Sequence, residues 1–130
     1  MPLLFFDIFQ GWKKEDIQNL LDVTHRVVVE AFQVPKRDRY QVVNLHGANE
    51  MIALDTGLGI SRTEYLVIIH VVSRPRPLDQ KQRFYGLLGA ALNYDCGIDS
   101  ADLIVSITEN ANEDWSFGYG RAQFLTGELS

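Results

Sequence analysis

The chain has 130 residues, 46% of them hydrophobic and 22% charged, which is the length of one domain and the composition of a folded one. Its formal charge of −5 opposes binding to nucleic-acid phosphates or acidic membranes, so an anionic ligand must be met by a local cationic pocket. Cys96 is the single cysteine, which excludes an intrachain disulfide and gives no sign of secretion.

Taken in chain order, Met1 to Phe9 is apolar but has neither the basic start nor the small-residue cleavage site of a signal peptide, and Asp7 interrupts it. No apolar run approaches the ~18–20 residues of a membrane span. The expectation is one cytoplasmic domain, residues 1–130, with no membrane or nucleic-acid partner. Leu3 to Phe9 reads as a buried strand. A helix follows, with Ile17, Leu20, Leu21, Thr24, Val27, Val28, Ala31 and Phe32 on one stripe. It stops near Val34-Pro35. Tyr40 to Leu45 is a second strand. Asn44 to Glu64, with Gly47, Gly57 and Gly59, is a loop holding one short strand, Met51 to Leu54.

Tyr65 to Val72 is the next strand, with His70 read as a core histidine. The next helix carries Phe84, Leu87, Leu88, Ala91 and Leu92 on one face and stops at Gly97-Ile98. Leu103 to Thr108 closes the pattern. Shifting the first half by 64 positions lays Leu3 on Val67, Val34 on Ile98 and Asp38 on Asp102. Strand, helix and second strand agree at one offset, so the chain reads as a tandem β-α-β duplication. The halves span about 2–46 and 65–110, and residues 111–130 form a tail. The predicted fold is α/β (α+β): a four-stranded mixed sheet with two helices on one face. Trp115, Phe117, Tyr119 and Phe124 make the tail too apolar to dangle, so it must cover a sheet edge, a pocket or a neighbouring subunit.

Several chemistries have no support. Gly57-x-Gly59 and Gly118-x-Gly120 lack the third glycine and the strand-then-helix setting of a dinucleotide site. His25, His46 and His70 are scattered, and one cysteine cannot complete a zinc site with them. Neither a metal nor an organic cofactor is called for.

Three features remain. Pro2 follows the initiator methionine, and aminopeptidases remove Met before a small residue such as proline. The exposed secondary amine would have a pKa near 8, movable to either side of neutrality by its neighbours, and could form iminium ions with aldehydes or ketones. A retained Met1 would make that nitrogen an amide and silence it. Arg74-Pro75-Arg76 closes the third strand, where period-two alternation would aim both guanidiniums to one face as a carboxylate clamp. Asp38 lies at the mouth of the second strand, where it serves either as a turn carboxylate paired to Arg37 or Arg39 or as part of a site.

Pro2 opening such a duplication, together with Arg74-x-Arg76, resembles the tautomerase superfamily, and within it the malonate semialdehyde decarboxylases. The matching stretches are Pro2-Leu3-Leu4, Pro35-x-x-Asp38-Arg39-Tyr40, Asp55 to Gly59, Ser73 to Arg76, Cys96-Gly97-Ile98, Asp114 to Gly118, Arg121-Ala122 and Phe124 to Gly127. They are collinear over nearly the whole chain. The resemblance implies a homotrimer acting on a small 3-oxo acid, with Pro2, Asp38, Arg74 and Arg76 catalytic. Trp115, Phe117, Phe124 and Leu129 would form the apolar wall, and Arg121 could equally pair with a surface carboxylate. In that scheme Pro2 is a cationic carbonyl polariser or iminium former, and Asp38 raises its pKa. Two alternatives use the same frame: a tautomerase or hydratase of unsaturated or acetylenic acids, and a non-catalytic binding trimer if Met1 stays.

Overall fold

Alternation sets the sheet. In β1 (Leu3–Phe9) the side chains of Leu4, Phe6 and Ile8 are buried while their neighbours are only partly covered, as period-two geometry over a one-sided core requires. The computed structural model describes residues 1–130 and continues with α1 (Lys14–Phe32), β2 (Tyr40–His46), β3 (Val67–Ser73), α2 (Leu78–Cys96), β4 (Leu103–Glu109) and a short α3 (Gln123–Thr126). No helix is long and apolar enough to cross a membrane.

The sheet order is β2-β1-β3-β4, with β1 parallel to β2, β3 parallel to β4, and β1 antiparallel to β3. The predicted fold is therefore the one observed. Each half is a β-α-β crossover, and the halves meet through their first strands. Leu20, Val23, Thr24, Val27, Val28, Ala31 and Phe32 of α1 and Phe84, Leu88 and Leu92 of α2 cover the inner face of the sheet. Phe32 and Phe84 stack at 4.8 Å between the two helices. Each large side chain buried this completely contributes about 1.5–3 kcal/mol. Val23 belongs to the α1 stripe, while Ile17 and Leu21 sit at its half-covered margin.

The helix stops follow from backbone chemistry. Gln33 ends α1 in the left-handed region at φ 54°, two residues before Pro35. Gly97 ends α2 at φ 66°, where its N–H bonds Asn93 O and the Ile98 N–H bonds Leu92 O.

Three expectations are corrected. Met51–Leu54 forms no strand. Ile52 and Leu54 are over three-quarters exposed, and Asp55 instead folds the segment by accepting the backbone N–H groups of Gly57 and Gly59. His70 is not a core histidine. It points to the face away from the helices, bonds Thr108 Oγ1 at 3.0 Å and stacks on Phe5, because even positions of β3 face outward. The third strand begins at Val67 and ends at Ser73, so Arg74 and Arg76 lie just past it, where strand alternation no longer fixes their direction.

Candidate active site

The chain start, the α1–β2 turn and the end of β3 meet at one corner of the sheet. Pro35 to Asp38 form a turn closed by the Asp38 N–H to Pro35 O bond, and His25 of α1 ties the turn down through Lys36 O at 2.8 Å. The turn presses Asp38 inward until 6% of it is exposed. Its Oδ2 makes no hydrogen bond and lies 3.9 Å from the Met1 amine. A buried carboxylate without donors resists ionisation, and desolvation raises the Asp38 pKa, opposed by the amine, Arg76, Arg74 and His25. The amine is displaced the other way. Burial first, then Arg76 and Arg74, lower it from 8.0 to about 6 against the pull of Asp38. That amine belongs to Met1; while Met1 is attached, the Pro2 nitrogen is an amide.

Ser73 joins the two arginines. Its buried hydroxyl donates to Arg74 O at 2.8 Å and accepts from Arg76 Nε at 3.2 Å. Arg76 then donates to Phe32 O at the end of α1 and lies over the Phe32 ring. Glu109, at the end of β4, accepts the Arg76 backbone N–H at 2.7 Å and pairs with Lys81. Arg74 turns toward the tail, donating to Asn112 Oδ1 and Ser130 O, with its guanidinium 3.9 Å from the Phe124 ring centre. Its Nε–H has no acceptor. The pair is thus held by separate elements rather than as one parallel fork. Burial and the charge of Arg74 lower the Arg76 pKa, and both charges act on the same amine and carboxylate.

The tail builds the apolar side. Phe117 stacks on Trp115 at 5.3 Å, leans on Tyr40 at 5.5 Å and meets Phe124 edge-on at 5.6 Å. Buried Gln123 fixes the loop by accepting the Phe117 N–H and donating to Gly118 O. Two cavities share Tyr40 and Phe117. One, of about 360 Å³, is lined by Met1, Pro35, Arg37, Asp38, Tyr40, Phe117 and Leu129. The other, of about 410 Å³, has Trp115 and Asn110 in its wall beside Leu3 and Val72. Among the predicted residues, Asp38, Phe117 and Leu129 thus line the cavity at the chain start, Trp115 and Phe117 the one beside it. Phe124 backs Phe117, and Arg74 and Arg76 are engaged with protein oxygens and line neither. Arg121 pairs with Glu128 at 3.2 Å on the surface. No group of three or more His, Cys, Asp or Glu is placed to hold a metal ion.

Sequence reading missed Ser73 as the bridge, Glu109 as the Arg76 anchor and Gln123 as the organiser of the tail. The register of β3 against β4 pairs Ser73 with Glu109, so knowledge of the strand pairing would have found the first two. No sequence signal marks Gln123.

Comparison with known proteins follows the same lines. Family profiles for tautomerase enzymes match residues 38–118 and residues 2–61. The chain is 58% identical over 129 residues to the probable tautomerase YrdN of Bacillus subtilis strain 168, covering 99% of this chain and all of that one. It is 52% identical to a malonate semialdehyde decarboxylase whose structure was related to decarboxylase and hydratase activities. That match has a TM-score of 0.97 and covers 98% of this chain and 99% of the other. A second malonate semialdehyde decarboxylase, inhibited by 3-bromopropiolate, is 38% identical with a TM-score of 0.94 over 98% of both chains.

Proposed function

Because the chain belongs to the tautomerase superfamily, we propose that its buried corner decarboxylates malonate semialdehyde, a three-carbon 3-oxo acid, with Pro2 as the working amine once Met1 is removed. The observation that carries this reading is the meeting of the chain start with a buried, hydrogen-bond-poor Asp38 in a field set by Arg74 and Arg76. The 52% identical decarboxylase supports it.

Decarboxylation leaves an electron pair on carbon, which the adjacent carbonyl must accept. Protonated Pro2 polarises the aldehyde oxygen, and Asp38 is the one neighbouring charge that favours that protonated form. Arg74 and Arg76, just past β3, exchange a protein oxygen for the carboxylate and orient it so that its C–C bond stands across the carbonyl plane. The Trp115-Phe117-Phe124 wall keeps water from the departing group and favours neutral CO2. The face of the sheet away from the helices carries Phe5 beside Val42, the latter 41% exposed, an apolar surface that assembly into a homotrimer would cover. A monomeric mass by light scattering at micromolar concentration would refute the trimer.

The test is CO2 release from malonate semialdehyde by protein whose N-terminal mass shows Pro2 first. Release is expected; none from protein so processed overturns the reading. One observation favours a second activity, enol–keto tautomerisation with Pro2 as a neutral base: burial and the two arginines outweigh Asp38 at the Met1 amine, one residue ahead of Pro2, and lower it to about 6.

A further inference from the structure

The cavity at the chain start is larger than malonate semialdehyde requires. That acid has six non-hydrogen atoms, and at no more than the roughly 30 Å³ of a liquid water apiece they fill about 180 Å³. The cavity measures about 360 Å³ with Met1 in its wall, so removal of Met1 opens it further. Arg37 stands exposed on the rim. Every other arginine donates to an oxygen: Arg26 to Asp95, Arg39 to Asp22, Arg62 to Ala101 O, Arg83 to Glu30 and Arg121 to Glu128, besides Arg74 and Arg76. Arg37 has no hydrogen bond and no ion pair, although the chain carries 17 acidic residues to 12 basic ones. The charges that bear on Asp38 are the amine, Arg76, Arg74 and His25. Arg37 precedes Asp38 in the chain and lines the same cavity.

We infer that this site accepts 3-oxo acids with a second, distal carboxylate, and that Arg37 holds that carboxylate. The inference rests on the decarboxylase reading and extends its substrate class. An unpaired guanidinium at a pocket mouth is a fork for a carboxylate, and the Tyr40 and Phe117 rings in the lining suit a methylene chain. A six-carbon acid such as 3-oxohexanedioate has eleven non-hydrogen atoms, roughly 330 Å³ on the same generous scale. The chemistry is unchanged. The bond from C2 to the leaving carboxylate breaks, and its electron pair becomes the C2–C3 double bond of an enol. The carbonyl oxygen takes the amine's proton as CO2 departs. C2 then takes a proton from water and the enol O–H returns its own, giving 4-oxopentanoate with no oxidant or reductant.

The experiment compares kcat/KM for 3-oxohexanedioate with that for 3-oxobutanoate, a ketone without the distal carboxylate, in the wild type, Arg37→Gln and Arg37→Lys. The wild-type ratio is expected to fall about tenfold in Arg37→Gln, through KM, and to recover in part in Arg37→Lys. An unchanged ratio overturns the inference while CO2 release from malonate semialdehyde leaves the decarboxylase reading standing. If no 3-oxo acid loses CO2, that reading falls, and calorimetric titration decides the role of Arg37 separately. Hexanedioate binding more tightly than butanoate, with the preference lost in Arg37→Gln, supports it; equal affinities overturn it.

Discussion

The two halves of the chain share one plan and differ in what they leave unpaired. β1 and β3 begin 64 residues apart, as do α1 and α2, and the helices have 19 residues each. At that offset Asp38 matches Asp102, and both are buried, at 6% and 2% exposure. Asp102 closes a short helical turn and accepts both the backbone N–H and the hydroxyl of Thr63. Asp38 keeps an oxygen with no donor, facing an amine. Pro2 matches Leu66, a core residue, and Arg74 and Arg76 match Gln10 and Trp12. Trp12 packs against Tyr65 and brings no charge. A duplicated scaffold thus carries one copy whose buried carboxylate is satisfied and one whose carboxylate is held short of partners. Burying an acid without donors costs stability, and such a cost persists where chemistry requires it.

The largest expected effect comes from closing the Pro2 nitrogen. Protein with extra residues fused ahead of Pro2 should lose decarboxylation by about a thousandfold or more, because an amide neither carries the proton nor forms an iminium. The same extension leaves the second half untouched, so unfolding by urea should be unchanged. Activity surviving the extension, with the N-terminus verified by mass, would remove Pro2 from the chemistry.

Next in size are the arginines that the first half lacks. Arg74→Ala and Arg76→Ala should each cut kcat/KM by the equivalent of about 2–4 kcal/mol, through loss of carboxylate capture in a partly desolvated site. Arg76→Ala also frees Phe32 O and Ser73 Oγ, so it should lower the urea midpoint more than Arg74→Ala does.

Most of the fold could be read from the sequence because the two copies constrain each other: apolar runs and helical stripes that agree at a single offset leave little freedom in element order. The loop between the halves has no second copy, and apolar Met51–Leu54 forms no strand there because Asp55 and its turn decide that segment. Outward-facing His70 was misread because a continuous apolar run conceals which face is covered. Asp38 and Asp102 look alike in sequence, each ahead of a strand. What separates them is Thr63, which is 39 positions from Asp102 and is brought to it only by folding. Arg74 and Arg76 could be picked out as a pair, but their separate anchoring by Asn112 and Phe32 could not.

Exchanging the roles of the two aspartates sharpens the comparison further. Asp102→Ala should destabilise the fold by about 2–3 kcal/mol in urea, since it strands two donors of Thr63, with the surviving folded protein active. Asp38→Asn should cost activity and little stability, within about 0.5 kcal/mol. The sign of the pH dependence follows from the raised Asp38 pKa. The native state holds that proton more tightly than the unfolded chain, so the contribution favours the fold at low pH and disappears as pH rises through the folded pKa. Asp38→Asn removes that slope. If the two variants behaved alike in both assays, the halves would not differ as the geometry indicates.

The smallest effect is the most discriminating, because it separates a cationic Pro2 from a basic one. Asp38 is the group that raises the pKa of the chain-start amine, while burial, Arg76 and Arg74 lower it to about 6. Removing the Asp38 charge must therefore shift the inflection of the pH–rate profile toward acid, whichever form of Pro2 is active. The direction of the limb identifies that form. A polarising cation gives decarboxylation that falls as pH rises through the inflection, and Asp38→Asn brings that fall to lower pH. A proton-abstracting base gives a rate that rises, and Asp38→Asn makes it rise earlier. Profiles on malonate semialdehyde and on a simple enol acid, for the wild type and Asp38→Asn, provide the measurement. A falling limb on the oxo acid that moves to lower pH in the variant supports decarboxylation by the cation. A rising limb on both substrates assigns the tautomerase activity, and an inflection that does not move denies Asp38 its hold on the amine.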